Sequence, residues 1–335
     1  MRTNVFDGKN VLITGGTGSL GNALTQSLLK TKVERIRIFS RDEEKQRQMQ
    51  NEFEDERLRF LLGDVRDRER LTRALEGIHI VIHAAALKQV PAVEYNPFEG
   101  VKTNVYGTQN LINACLDTDV ELALAISTDK AVNPFNTYGG TKLLMERLFI
   151  DANSLKGWRK IKFTCVRYGN VLGSRGSVLP TFIEQIRSGK KITITDPSMT
   201  RFHMTVNQAL DFIFRSLKNS NGGEVFVPKL KAYRLGELKD AIVELLDQKV
   251  ETQIISVRPG EKYHESLISI DEIRNTYENQ DDYLIFEKKT EHYIYPNDQS
   301  IKKTSLKSEY SSNNVELLSK DELKNILTKE NLLPR

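Results

Sequence analysis

Cysteine is nearly absent from this chain: Cys115 and Cys165 are the two in 335 residues, distant from each other and without metal-ligand spacing. A disulfide framework and a thiolate metal centre are thereby excluded, and the pair suits a reducing compartment. Histidine is also sparse, with five scattered residues, so no metal is expected. No apolar run reaches the roughly 18 residues of a membrane-crossing helix, so no membrane span is expected. The first residues lack a secretory apolar core, which makes cytoplasmic the expected location. Charge of one sign is not in excess either. Lys and Arg total 49 against 45 Asp and Glu, a net charge of +4, and the basic stretches are interrupted, so no nucleic acid is expected as partner.

What is present is alternation. Strand-like apolar runs at 10–14, 35–40, 58–62, 78–83, 122–127 and 162–168 alternate with helical patterns near 18–30, 66–76, 98–116 and 138–154. This predicts an α/β fold with a doubly wound parallel sheet of the Rossmann type. The length permits one large domain or a nucleotide domain with a smaller cap. We expect residues 1–168 to form the dinucleotide-binding domain. Residues 169–335 are expected to form mainly a smaller α/β substrate-binding region and a tail, with some segments returning to the sheet. The last sixty or so residues are polar, with a short amphipathic helix around 320–329 for which Ser319 and Glu322 have capping-box spacing. Whether that tail packs on its own body or on a neighbouring subunit is open at this stage.

Asn10 to Thr14 (NVLIT) leads into Gly15-Gly16-Thr17-Gly18-Ser19-Leu20-Gly21 and then a helix. Glycines at 15, 18 and 21 allow a tight turn, close backbone approach to a pyrophosphate and close helix–strand packing. Unpaired N–H groups at the helix start then face the phosphates. A plain glycine turn is the alternative. The next strand ends in Ser40-Arg41, where NAD-preferring folds often carry an acid for the ribose. Arginine there suits a 2′-phosphate, with Lys45 adding charge, so NADP is the expected cofactor; an exposed loop arginine is the bland alternative. Asp64, before Val65, is placed to accept from the adenine amine or to cap a helix running from Arg66. Ala84-Ala85-Ala86 lets the backbone approach a flat ligand or simply packs a turn. Lys88 follows in a Pro-containing loop, facing pyrophosphate or substrate. His83 reads as a structural hydrogen-bonding residue.

Two short words carry the chemistry. Tyr138-Gly139-Gly140-Thr141-Lys142 puts a phenol and an ammonium one helical turn apart. A nearby cation favours the phenolate, so we expect a lowered tyrosine pKa and removal of an alcohol proton near neutral pH. Ser127-Thr128-Asp129-Lys130 follows an apolar strand and sets an acid beside a potential base. Taken alone, Lys130 is equally a salt-bridged loop residue, Asp129 a turn former and Thr128 a strand terminator.

These words belong to a longer ordered set: SRDEEKQ, GDVRDRERL, HAAALKQVPAVEYNP, KTNVYGTQN, STDKAVNP, YGGTK, RYGNVLGSRGSV, MTRF and RPGEK. Together with TGGTGSLG they resemble the extended short-chain dehydrogenase/reductase superfamily. Within it they are most similar to the inverting UDP-N-acetylglucosamine 4,6-dehydratases of pseudaminic acid and related pathways, over roughly residues 6–270. Retaining dehydratases typically read Thr-Asp-Glu where this chain has Thr128-Asp129-Lys130. The resemblance implies a lyase with NADP, UDP-N-acetylglucosamine as substrate, and homo-oligomers, hexamers among them. It implies that Tyr138, with Lys142, takes the C4 hydroxyl proton. Lys130, neutral through burial and nearby Lys142 or Lys88, takes the C5 proton, Asp129 protonates the departing C6 hydroxyl, and Thr128 binds near C4. Cofactor contacts are expected from Gly15, Thr17, Gly18, Ser19, Leu20, Gly21, Ser40, Arg41, Lys45, Asp64, Val65, Ala84, Ala86, Lys88, Thr103, Tyr138 and Lys142. Substrate contacts are expected from Lys88, Thr128, Asn170, Val178, Thr195, Arg201, Arg258 and Glu261. A UDP-sugar 4-epimerase, a retaining dehydratase and a non-catalytic NADP-sensing protein are the rival readings.

Overall fold

The computed structural model describes residues 5–174, 176–257, 260–286 and 300–333. The first six strands are β1 (Asn10–Thr14), β2 (Arg35–Ser40), β3 (Leu58–Leu62), β4 (Ile80–His83), β5 (Leu122–Ile126) and β6 (Lys162–Val166). Ten more follow: β7 (Ile192–Ile194), β8 (Thr200–Phe202), β9 (Glu224–Pro228), β10 (Ala232–Arg234), β11 (Thr252–Ile254), β12 (Ser266–Ile268), β13 (Thr276–Glu278), β14 (Asp282–Phe286), β15 (Lys302–Lys303) and β16 (Tyr310–Ser311). The main sheet has the order β15-β13-β14-β9-β6-β5-β4-β1-β2-β3. It is parallel from β3 to β9 and antiparallel beyond. Three two-stranded ribbons, β8–β10, β7–β11 and β12–β16, stand apart from it. Four strands from beyond residue 169 therefore complete the sheet edge.

Alternating side chains explain why both faces are covered. In β1, Val11 and Ile13 enter one apolar cluster and Leu12 the other. Strands buried on both faces read as continuous apolar runs, as NVLIT does. One face is covered by α1 (Ser19–Leu28), α2 (Glu43–Phe53) and α9 (Val206–Asn219), through Leu24, Met49 and Phe212. The other is covered by α3 (Arg68–Leu75), α6 (Gly107–Leu116) and α7 (Thr137–Leu155), through Leu71, Leu111 and Phe149. The helical pattern expected near 98–116 is broken into α5 (Pro97–Val101), a π-turn at Lys102–Tyr106 and α6; the short α4 (Val90–Tyr95) precedes them.

A third apolar cluster joins α8 (Val178–Arg187), α10 (Leu235–Leu245) and α11 (Lys320–Lys329) through Phe182, Ile242 and Leu323. The open question about the tail is thus answered for its described part: it packs on its own body. Helix α11 has the full reciprocal capping box between Ser319 and Glu322, and β16 pairs with β12.

One buried ion cluster ties these layers together. Arg167 is wholly inaccessible and donates to Glu146 of α7 at 2.6 and 3.0 Å and to Glu272 at 2.9 and 3.0 Å. Removing one member of such a cluster leaves an uncompensated buried charge. We therefore expect Glu146→Ala to cost about 3–5 kcal/mol, read as a lowered urea midpoint. An unchanged midpoint would show that the cluster contributes nothing to stability.

Candidate active site

The strand order reverses between β1 and β4, and the crevice outside their carboxyl ends is where open α/β sheets bind ligands. A cavity of about 810 Å³ lies there. Gly15 has φ +66°, and a Cβ on it would lie 2.8 Å from the Ala85 backbone. At Gly21 a Cβ would collide with the Gly16 carbonyl as α1 leaves the loop. No larger residue fits either place, so the loop is a backbone cradle opening onto a helix N-terminus. That is the form a pyrophosphate requires.

All seventeen residues expected to contact the cofactor line this one cavity, from Gly15 to Lys142. Of the expected substrate residues, Lys88, Thr128 and Asn170 line it as well. Arg201, Thr195 and Glu261 form a separate group: Arg201 Nη2 lies 3.5 Å from Glu261, and the Thr195 hydroxyl donates to Glu261 at 3.2 Å. Val178 opens α8. Arg258 lies outside the described residues. Arg41 is half-exposed, 3.4 Å from Asp64, and Lys45 pairs with Asp42. Asp64 does not cap the following helix. It accepts from Arg66 N at 2.9 Å, and the cap of α3 is Asp67. His83 is a buried linker, with Nδ1 2.7 Å from the Thr14 hydroxyl and Nε2 3.1 Å from that of Thr108. Burial pushes its pKa down to about 3, so it stays neutral.

The chemistry-bearing groups meet where β5 ends and α7 begins. Asn136 caps α7 by accepting from Gly139 N at 2.8 Å. A Cβ at Gly139 would collide with the Lys130 carbonyl oxygen. The glycine therefore lets the first turn of α7, which carries Tyr138, dock on the short 3₁₀ turn Asp129–Ala131. Thr128 donates to Asp129 at 2.7 Å and stands close enough to the Tyr138 phenol to favour its phenolate. Lys130 Nζ donates to Asp129 at 3.0 Å and to Asn170 at 3.4 Å, and its side chain is 18% exposed. The result is one hydrogen-bonded chain from hydroxyl through carboxylate to amine, with the Tyr138 phenol beside the hydroxyl.

Two expectations about acidity need correction. Burial raises the Tyr138 pKa to about 12, and the cation that opposes this is Lys130; Lys142 is not among the causes. Lys142 instead donates to the Ile126 carbonyl at 2.6 Å and to Met145 Sδ at 2.9 Å, and burial lowers its own pKa to about 8. Helical spacing put the two on one face, but the lysine turns inward to the strand. Nor is Lys130 made neutral by its surroundings. Burial alone would pull its pKa down, but Asp129 and Glu265 together reverse this and leave it above the ordinary lysine value. It rests as an ammonium.

Several residues in or beside the site were invisible to sequence reasoning. Glu265 lies 3.4 Å from Lys130, and Tyr168 lines the cavity. Ser127 also lines it, with its hydroxyl unpartnered among the described residues. Tyr233 is buried and carries the electrostatic influence of Arg201 and Lys130. Ser127 opens the word Ser127-Thr128-Asp129-Lys130, but its residue type alone gave it no role. Nothing in the local sequence marks the others.

The family model described as polysaccharide biosynthesis protein matches residues 11–287. The UDP-N-acetylglucosamine 4,6-dehydratase (inverting) of Campylobacter jejuni is 46% identical over 84% of each chain. A Rickettsia rickettsii protein named UDP-glucose 4-epimerase is 40% identical over 96% of each. The X-ray structure of Pen from Bacillus thuringiensis superposes with a TM-score of 0.91 at 40% identity, covering 98% of this chain and 100% of that one. The chain belongs to the polysaccharide biosynthesis protein family, as an extended short-chain dehydrogenase/reductase similar to the inverting UDP-N-acetylglucosamine 4,6-dehydratases.

Proposed function

We propose that this chain is an NADP-dependent, C5-inverting UDP-N-acetylglucosamine 4,6-dehydratase. Its product would be UDP-2-acetamido-2,6-dideoxy-β-L-arabino-hex-4-ulose, at the start of pseudaminic acid or related surface-glycan synthesis. The observation that carries this reading is the Asp129–Lys130 ion pair, bonded to Thr128, which lines the dinucleotide cleft together with Tyr138. A plain alcohol dehydrogenase needs no such second acid/base pair. The cradle at Gly15 and Gly21 fits a dinucleotide, which supplies a hydride acceptor for C4 and a hydride donor for C6.

The protein's own part is proton handling. Tyr138 acts as the phenolate, the form that the neighbouring Lys130 ammonium favours against burial, and takes the C4 hydroxyl proton. The ketone so formed acidifies the C5 hydrogen. Lys130 must then be neutral, although it rests as an ammonium. One proton passing from Nζ to Asp129 across their 3.0 Å contact makes a neutral amine and a carboxylic acid together. A bound sugar that excludes water favours this, because desolvation disfavours the charged forms. Lys130 then removes the C5 proton, Asp129 protonates the C6 hydroxyl, and water leaves. Reprotonation of C5 on the other face inverts it.

The relatives named UDP-glucose 4-epimerase favour a second reading, in which Tyr138 and the dinucleotide act without Asp129–Lys130. Turnover of UDP-N-acetylglucosamine in heavy water separates the two. The dehydratase gives a C6 methyl group and one deuterium at C5 with inverted configuration; a 4-epimerised sugar that keeps its C6 hydroxyl overturns the proposal. Lys130→Ala is expected to lower dehydration by roughly 10²–10⁴-fold, the usual worth of a positioned general base, while NADP binding holds. Equal loss of both would make the residue structural. Arg41→Ala is expected to weaken NADP⁺ by roughly tenfold or more in a binding titration, with NAD⁺ unaffected. Equal weakening of both dinucleotides would remove Arg41 from 2′-phosphate recognition.

A further inference from the structure

Glu265 belongs to none of the motifs that frame the site, yet it is the second carboxylate at the Lys130 amine. Its side chain is 4% exposed, and Oε1 lies 3.4 Å from Lys130 Nζ and 4.0 Å from Arg201 Nε. Among the described residues its Oε2 has no hydrogen-bond partner. A buried, half-satisfied carboxylate is destabilising, and stability alone does not explain its presence.

Its backbone is fixed. Glu265 N donates to the Ser312 hydroxyl at 3.0 Å, and Ser312 N donates to the Glu265 carbonyl at 2.8 Å. Ser312 Oγ is also 2.7 Å from the Thr200 hydroxyl. The tail thus clamps the two segments that carry Arg201 and Glu265. The charged and titratable groups facing Lys130 and Glu265 come from several elements. They are Asp129 on the 3₁₀ turn, Arg201 on β8, Tyr138 on α7, Tyr233 on β10, and Lys262, three residues before Glu265. Asn170 adds the neutral contact to Nζ. Two carboxylates therefore share one amine, and only Asp129 also touches the Thr128–Tyr138 chain.

We propose that Glu265 is a positioning residue for Lys130: it holds the amine beside Asp129, and its charge sets how firmly that amine keeps the proton it passes to Asp129. Glu265 itself does not touch the sugar. The kinetic consequence rests on the dehydratase reading; the electrostatic one does not. Burial raises the Glu265 carboxyl pKa, with Lys130 and Arg201 pulling the other way. The two groups are thus poised against each other.

The sign follows from the charges. Removing the carboxylate removes an attraction that favours the ammonium, so Lys130 loses its proton at lower pH. An opposite charge at this distance typically moves a group by about one to three pH units. The test uses full-length protein with NADP⁺, labelled with ¹³Cε/¹⁵Nζ-lysine, and the Lys130 resonance is assigned by its loss in Lys130→Met. In Glu265→Gln the Lys130 midpoint is expected to fall by about one unit or more; an unmoved midpoint overturns the proposal. With UDP-N-acetylglucosamine, the falling basic limb of kcat, where the proton shared by Lys130 and Asp129 is lost to solvent, should move down with it, while KM stays within about twofold. A limb that stays in place also overturns it. Should Glu265→Gln not fold, Glu265→Asp keeps the charge and draws it back, and a smaller shift in the same direction is expected; no shift is the overturning result. Wild-type protein without turnover would sink the dehydratase reading and leave the lysine titration to decide on Glu265.

Discussion

A single partly buried ammonium organises this site. Lys130 sits between Asp129 and Glu265, and these two anions keep a largely covered amine in its cationic form. Each neighbouring element is shaped to permit that cluster. The turn after β5 aims two consecutive side chains at one place, because Thr128 bonds both Asp129 and the Lys130 backbone N–H. Gly139 lets α7 come close enough for Tyr138 to join. Gly169 leaves room for Asp129, whose Oδ2 lies 3.2 Å from where a Cβ at 169 would be.

Beneath that cluster the Arg167 triad repeats the arrangement for a structural end. Arg167 stands two residues before Gly169, Glu146 is one turn beyond Lys142 on α7, and Glu272 follows Glu265 by seven residues. The segments that carry Tyr138, Asn170 and Glu265 are therefore tied to one guanidinium. A buried ion cluster is weak evidence for net stability, since apolar replacements are often as stable. What it fixes is relative position: the planar fork of Arg167 accepts both carboxylates in only a narrow range of orientations.

The Rossmann half was legible because its signals are local. Apolar strands, glycine turns and helical periods lie within ten or so residues of one another, and the six parallel strands fall close to where NVLIT, RIRIFS and their counterparts predict them. The cofactor cleft was legible for the same reason. The far sheet edge was not. Strand β14 is five buried residues, DYLIF, inside a segment whose composition reads as polar tail, and a short run next to charged neighbours carries too little periodicity to stand out. Glu265 was illegible because its meaning is wholly tertiary: only the folded chain brings it to Lys130, over more than a hundred residues. The acidity errors have the same root. Helical spacing placed Lys142 near Tyr138, but the inward turn to the Ile126 carbonyl is decided by burial.

On the proposed reaction, the resting ionisation has a further meaning. Elimination begins with a neutral Lys130 and a protonated Asp129, and ends with the C5 proton on the amine and the aspartate proton on the departing water. The protein is then an ammonium–carboxylate pair again, the state seen at rest. Loss of water thus recreates the buried ion pair, so the step that breaks the substrate bonds is also the one that restores the favourable electrostatics of the site. Lys130 need not be a lysine of low basicity. It needs only an adjacent acid that holds its proton while the sugar occupies the cleft, and the 3.0 Å contact to Asp129 provides one. The proton that Tyr138 took from the C4 hydroxyl is still on the phenol, because C4 remains a ketone. Delivery of that proton to C5, from the side opposite Lys130, inverts the carbon with no proton drawn from solvent through a buried site.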